Sequence, residues 1–443
     1  MGMRVKINVL ALAAGMLLTL LSCAGSPDAY AHIDEDLRGG AYESALIRLD
    51  DEKEPARKTV YTSKNQILFY LDRGMIRHYA GLYPDSSGDL QEAEWLIEDA
   101  FTRSISQEAG SFILNDNVKD YPGEDYEDLY INVFNSLNYY HNDDLEGALV
   151  EIRRLNEKLS LLSDKYERAK EKVLDSNKQV DSAQFQVEAS KLSNLALARY
   201  MGMLFYRGTG RADSARIDYE EISRAYELAP QVYANSIPRS VEEELAVPDG
   251  MARLNVIAFT GLSPVKEAQN IYIPLPLPPP NNMARIATPV MKDRTLSALR
   301  AEVVLDSGER FALELIEDMG AVARETFKSK YALIVLKTTA RTIVKATTSA
   351  IIAGTASAKN ENEGLGSLIG LMGRIFTEAS EQADTRLSRY FPCYALVGGI
   401  NLIPGRHELT VNFYGGSALI FSERREIDVR ERTLNLEEFV CLK

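Results

Sequence analysis

The sequence predicts an α+β multidomain fold, with an N-terminal array of helical hairpins followed by a β-sandwich-like domain that carries an inserted helical hairpin. Three observations predict it. Up to about residue 234 apolar residues recur at spacings of three and four, and the composition shifts across residues 231–250. From Met251 onward, short β-branched and alternating runs are punctuated by Asp306-Ser-Gly308, Pro404-Gly405 and Gly415-Gly416. The chain has 443 residues, 45% hydrophobic and 26% charged, which suits two or three globular domains. The expected units are a helical domain over 33–234 and a β-rich domain over 251–443, with a helical insertion at about 332–389.

Ahead of both units, Arg4 and Lys6 lead into an apolar run over residues 7–21 that ends at Leu20-Leu21-Ser22-Cys23-Ala24-Gly25. A charged start and a short apolar core make a secretory signal. The small residues around a lone cysteine resemble the lipobox of bacterial lipoproteins, with cleavage after Ser22 and Cys23 acylated. A spanning helix or a buried core helix is the alternative, but the run is shorter than the roughly 20 apolar residues a span requires and no basic stop signal follows it. Residues 1–22 are therefore read as a lipoprotein signal peptide and 23–32 as a tether. Each buried acyl methylene contributes roughly 0.8 kcal/mol, so two or three chains on Cys23 hold a protein stably on a membrane.

The clearest helical pair is the last. Leu195, Ala198, Met201, Gly202, Leu204 and Phe205 share one face, Gly208-Thr-Gly210 makes a turn, and Ala215, Tyr219, Ile222, Ala225 and Leu228 mark a second helix that stops at Pro230. Met201-Gly202 with Tyr206, then Ile222, Ala225 and Pro230, resemble a tetratricopeptide repeat, although Asp218 stands where a small residue belongs. Residues 40–46, 71–83 with 89–101, and 126–140 with 144–159 echo the pattern. The charged stretch 159–194 reads as a longer helical excursion, and repeats of this kind stack, each covering its neighbour's apolar face.

Strands are expected at 254–260, 270–274, 285–291, 299–305, 310–315, 395–400, 409–414, 418–422, 426–429 and 439–442. The proline-rich stretch 274–280 reads as an extended loop. Helices are expected at 321–327 and 332–389. Within the second, 346–358 and 365–376 are small and apolar, with Gly366, Gly370 and Gly373 as a close-packing seam.

Little in the chain points to chemistry. The histidines His32, His78, His141 and His407 lie in different segments with no partner at ligand spacing, so neither a metal nor another cofactor is assigned. Gly364-Leu-Gly366-Ser367 lacks the spacing of a nucleophile elbow, and no catalytic residue is assigned. The formal charge is −14; without Arg4 and Lys6 it is −16, from 48 basic and 64 acidic side chains. That balance argues against nucleic acid and anionic headgroups as partners. Cys393 and Cys441 remain after Cys23. Either they bridge and clamp the last strand, as an exported compartment permits, or they are two small buried hydrophobes. Tyr130, Tyr140, Tyr200 and Tyr206 on the predicted hairpins are the candidates to grip a partner.

Three stretches carry a wider resemblance: 138–154 with Glu146-Gly-Ala-Leu-Val-Glu-Ile-Arg-Arg, 198–230, and 383–411 with Asn401-Leu-Ile-Pro404-Gly405-Arg-His407. Together they resemble an uncharacterised family of bacterial envelope lipoproteins with tetratricopeptide-like N-terminal repeats and a β-rich C-terminal domain. Leu387-Ser-Arg-Tyr390 replaces the tryptophan-containing stretch of that pattern. The resemblance implies an envelope location and a link to outer-membrane or cell-wall assembly, with no catalytic residues.

The expectation is a non-enzymatic scaffold or adaptor in contact with envelope proteins. Ala24 carries no acidic retention signal, which favours the outer membrane, facing the periplasm. The alternatives are a membrane-associated or pore component using the apolar hairpin 346–376, and a hydrolase with its site on the β-domain. The sequence carries no signal for oligomeric state.

Overall fold

The computed structural model describes residues 27–111, 119–176, 192–274, 283–359 and 382–443. Cys23 and the apolar segment around it lie outside them, as do residues 360–376 of the apolar hairpin and 275–280 of the proline-rich stretch. The described chain starts with helices in pairs. A short 3-10 turn (Pro27–Tyr30) leads into α1 (Ala31–Arg38) and α2 (Tyr42–Asp50), and α3 (Pro55–Thr59) follows. Next come α4 (Gln66–Tyr79) with α5 (Tyr83–Ser111), α6 (Asp125–His141) with α7 (Leu145–Ser176), and α8 (Ala196–Gly208) with α9 (Ala212–Leu228). Gly40, Gly81 and Gly210 take positive φ in the three glycine-bearing turns, a conformation a Cβ disfavours. Helix α6 opens on a capping box in which Glu124 and Glu127 satisfy each other's backbone N–H groups.

Close helix crossings explain the small residues. A Cβ on Gly74 of α4 would lie 2.8 Å from Leu90 Cδ2 of α5. On Gly202 of α8 it would fall on Asp218 Oδ2 of α9 and sit 3.3 Å from Ile152 Cγ2. Asp218, the apparent departure from the repeat pattern, is buried against that glycine and accepts a 2.8 Å hydrogen bond from Arg199 Nη1. The acid is tolerated because the cation sits one helix away. Gly202→Ala is expected to force Asp218 off Arg199 and to cost about 1–3 kcal/mol, read as a lower urea midpoint with an unchanged m-value.

A short helix, α10 (Arg239–Glu243), precedes the strands β1 (Ala252–Thr260), β2 (Val265–Pro274), β3 (Met283–Lys292), β4 (Arg300–Leu305) and β5 (Arg310–Asp318). The helix α11 (Met319–Lys359) then leads on toward β6 (Tyr394–Leu402), β7 (Gly405–Gly415), β8 (Ala418–Val429) and β9 (Asn435–Cys441). The two runs expected at 418–422 and 426–429 are one strand, β8. In place of a sandwich of two stacked sheets, seven strands form one sheet in the order β8-β7-β4-β5-β6-β1-β9, and β2 with β3 forms a separate ribbon. Neighbours in the sheet run antiparallel except β1 and β9.

The sheet is rolled. Its edge strands β8 and β9 are six spacings apart, about 29 Å if flat, yet Arg425 of β8 stacks 4.0 Å from the Phe439 ring centroid and reaches Glu437 of β9 at 3.4 Å. Inside the roll, Leu254, Val256 and Ala258 of β1 share an apolar core with Val303, Leu409, Val411, Phe413 and Phe439. The alternate residues of β1, Ile257 and Phe259, face outward into a second core built with the helices. This is why β1 is buried along its whole length. The helical and β-rich units expected as separate domains thus share one core.

Three further expectations are corrected. The helices placed at 321–327 and 332–389 join without a break over the described Met319–Lys359, residues 360–381 lie outside the described residues, and 382–391 form a strap with no helix. Cys393 and Cys441 are free and buried. They flank Thr260 and Gly261 at the end of β1 from opposite sides: Cys393 N donates to Thr260 O, and Gly261 N to Cys441 O. Two ladder spacings, about 9.5 Å, exceed the roughly 7 Å that a disulfide spans between Cα atoms.

Candidate functional site

Buried carboxyls and a buried histidine with displaced protonation converge on the seam between the helices and the outer face of the sheet. Helix α4 presents Asp72 and His78, α6 presents Glu127, Tyr130 and His141, and the strap 382–391 threads between the layers with Leu387, Ser388, Tyr390 and Phe391 buried. Ser388 Oγ and Arg389 N donate to Asp72 Oδ1 at 2.7 and 2.9 Å, and Tyr61 OH donates to Oδ2 at 2.8 Å. Ser388 N donates to Glu127 Oε1 at 2.6 Å; Tyr121 OH and Glu124 N donate to Oε2 at 2.7 and 2.8 Å. Burial pushes Asp72 up to about 6 against those hydrogen bonds. Burial, with the charge of Glu124 beside it, pushes Glu127 up to about 7. One serine thus joins two carboxyls from different helices.

A second cluster fastens β9. Glu438 accepts from His78 Nε2 at 2.7 Å and from His141 Nε2 at 2.8 Å, one on each carboxylate oxygen. His78 Nδ1 lies 2.7 Å from Asn138 Oδ1, so both nitrogens of that ring face acceptors and the ring is held as the imidazolium. Burial opposes the charged ring, but the Glu438 carboxylate and the hydrogen bonds His78 donates to Glu438 and Asn138 raise it above its ordinary value. Burial also opposes the Glu438 charge, and the two histidines overcome it, holding the carboxyl well below the usual range. Tyr83 stacks on His141 with centroids 4.2 Å apart. The ring centroids of His78 and His141 are 6.5 Å apart, so two histidines with no partner in sequence are partners in space.

The expected partner-gripping tyrosines also belong to this seam. Tyr130 is fully buried and donates to Glu317 Oε1 at 2.6 Å, while Tyr233 OH and Leu197 N donate to Oε2 at 2.8 and 3.2 Å. A β-bulge at Ile316 turns Glu317 toward the helices. Tyr200 is fully buried and accepts from Asn255 Nδ2 at 3.3 Å, within a cluster where Asn255 and Arg253 also bond Glu244. Tyr140 OH exchanges 3.0 Å hydrogen bonds with both N and O of Leu436, covering the free edge of β9. Tyr206 is half-buried against the shared core. These rings have the amphipathic character of interface residues, and the interface they serve is internal. Among the described residues the most exposed helical aromatic is the lone tryptophan, Trp95, 57% exposed on α5.

Sequence spacing gave no warning of the histidine cluster, because its members lie on α4, α6 and the last strand. The available signal was on β9, where Leu436 and Val440 alternate with Glu438 on the buried side, so an acid at that position demands a cation opposite. Among the described residues, no group of three or more His, Cys, Asp and Glu is placed to hold a metal ion, and no helix is long and apolar enough to cross a membrane. Each of the four carboxyls Asp72, Glu127, Glu317 and Glu438 is held by groups from at least two elements, and the arrangement works as a set of fasteners. No family model, curated protein or solved structure matches the chain.

Proposed function

We propose that the protein is a lipid-anchored scaffold of the bacterial cell envelope, tethered through acylated Cys23 to the outer membrane, facing the periplasm, and working through protein contacts. The observation that carries the reading is the close succession of a lipobox-like sequence and a firmly docked body. Cys23 is followed within seven residues by Tyr30, which is buried with Ala29 and Ile33 in the shared core. The helix pairs are read as tetratricopeptide-like, supported by the Gly202 crossing and the stop before Pro230. The seam supports a structural role, since its displaced carboxyls and histidines bind one another, the strap and the backbone.

The test is Cys23→Ala in cells. The parent is expected in the membrane fraction with a mass increment of two or three acyl chains on the N-terminal peptide. The variant is expected to lose that increment and to leave the membrane. Parent protein without acylation overturns the anchor. For the scaffold part, a photo-crosslinker at Trp95 is expected to capture one envelope protein reproducibly, and capture of none overturns the use of that face.

A further inference from the structure

We infer that the body is seated directly on the bilayer, with the turn around α3 as its lipid-facing surface; this rests on acylation of Cys23. Pro27 lies four positions after Cys23, a reach of at most about 14 Å when fully extended. From there on the chain is fixed. Ala29, Tyr30, Ile33 and Leu37 are buried, Arg389 lies 4.1 Å from the Tyr30 ring centroid, and Asp34 pairs with Arg389 at 2.6 Å and Arg294 at 3.3 Å. Such a body cannot swing away on a long leash, and Pro27 stays within about 14 Å of the acylated residue, roughly twice the depth of one headgroup layer.

That surface has the charge for the position. The turn Pro27–Tyr30 packs against α1 and α3, and Tyr30 meets Tyr61 edge-on at 6.1 Å. Residues 55–71 hold no acid and carry Arg57, Lys58 and Lys64, whereas Asp50, Asp51, Glu52 and Glu54 directly precede them, in a protein of formal charge −14. Lys58 and Lys64 are exposed, and Arg57 is half-buried, with its Nη1 on Tyr61 O. Each cation near an anionic leaflet contributes on the order of 1 kcal/mol, so the stretch 55–71 is locally cationic within a chain whose overall charge argued against anionic headgroups. The partner is a bilayer surface bearing anionic lipid.

The acylated full-length protein, labelled through Thr59→Cys on the exposed end of α3, is reconstituted in vesicles containing anionic lipid and a headgroup-borne quencher. Quenching is expected to be several-fold stronger than in a second form carrying a flexible ~20-residue Gly-Ser insert after Ala24, whose root-mean-square span is about 25 Å. It is also expected to weaken when Lys58→Glu and Lys64→Glu are combined. Acylated protein whose label is unquenched, or is quenched equally with the insert, overturns the seating and leaves the anchor standing. Absence of the acyl mass overturns both.

Discussion

Glu438→Ala is expected to destabilise the protein by about 3–5 kcal/mol, the range for removing one partner of a buried ion pair. The carboxylate is buried and divides its two oxygens between His78 and His141. Its loss leaves the His78 imidazolium inside the seam with only Asn138 facing it, so the ring must give up its proton or draw water into the core. Glu438→Gln separates charge from shape. The amide keeps one acceptor oxygen but turns an N–H₂ toward the other histidine, so the cost is expected to fall below that of alanine. His78→Asn should cost less in the Glu438→Gln background than in the parent, because the two changes remove one shared interaction. Urea unfolding of the four proteins measures this coupling. Additive free energies would show that the pair contributes nothing jointly and that β9 is held by its apolar face alone.

The local pattern carried much of the fold. Gly202, Ala225 and Pro230 mark a close crossing and a helix stop, and α8 and α9 have both. The alternating runs after Met251 locate all nine described strands, with one strand read as two. What stayed hidden is tertiary. Nothing near Arg425 says that its partner is Phe439 across the opening of a rolled sheet, so a sandwich was the natural reading of the same strands. Residues 382–391 have the polar composition of a helix end, and they lie extended because Asp72 and Glu127, more than 250 residues earlier, hold the backbone N–H groups of Arg389 and Ser388. The tyrosines show the same limit. Composition identifies them as interface residues, whereas only the fold shows that Tyr130 and Tyr200 face Glu317 and Asn255 of the same chain.

Those two strap-holding carboxyls set the second large expectation, that the protein is more stable near pH 5.5 than near pH 8. Asp72 titrates at about 6 against an ordinary 3.8, and Glu127 at about 7 against 4.5. A carboxyl raised by folding binds its proton more tightly in the native state. Its contribution is therefore favourable below the unfolded value and is lost as pH rises through about 4 to 7. At 1.36 kcal/mol per unit each shift amounts to at most about 3 kcal/mol. His78, raised as well, adds stability that is lost above its folded value. Glu438, lowered, removes stability only below about pH 4.5. The groups together place the maximum in mild acid.

The hydrogen bonding permits the protonated forms. Glu127 faces the Tyr121 hydroxyl and Asp72 faces the hydroxyls of Tyr61 and Ser388, and a hydroxyl can turn from donor to acceptor where a backbone N–H cannot. Asp72→Asn follows the same logic. Its oxygen retains Ser388 Oγ and Arg389 N, its amide donates to Tyr61, and no charge remains to titrate. Glu127→Gln does not, because backbone N–H groups face both oxygens and one would meet the amide. Asp72→Asn should therefore fold, match or exceed the parent at pH 8, and reduce the difference in unfolding free energy between about pH 5.5 and pH 8. Glu127→Gln should be destabilised at both. A parent whose stability rises steadily from about pH 5.5 to pH 8 would mean that both carboxyls are ionised in the folded seam, with cations such as Lys266 and Lys330 beside Glu124 outweighing their burial.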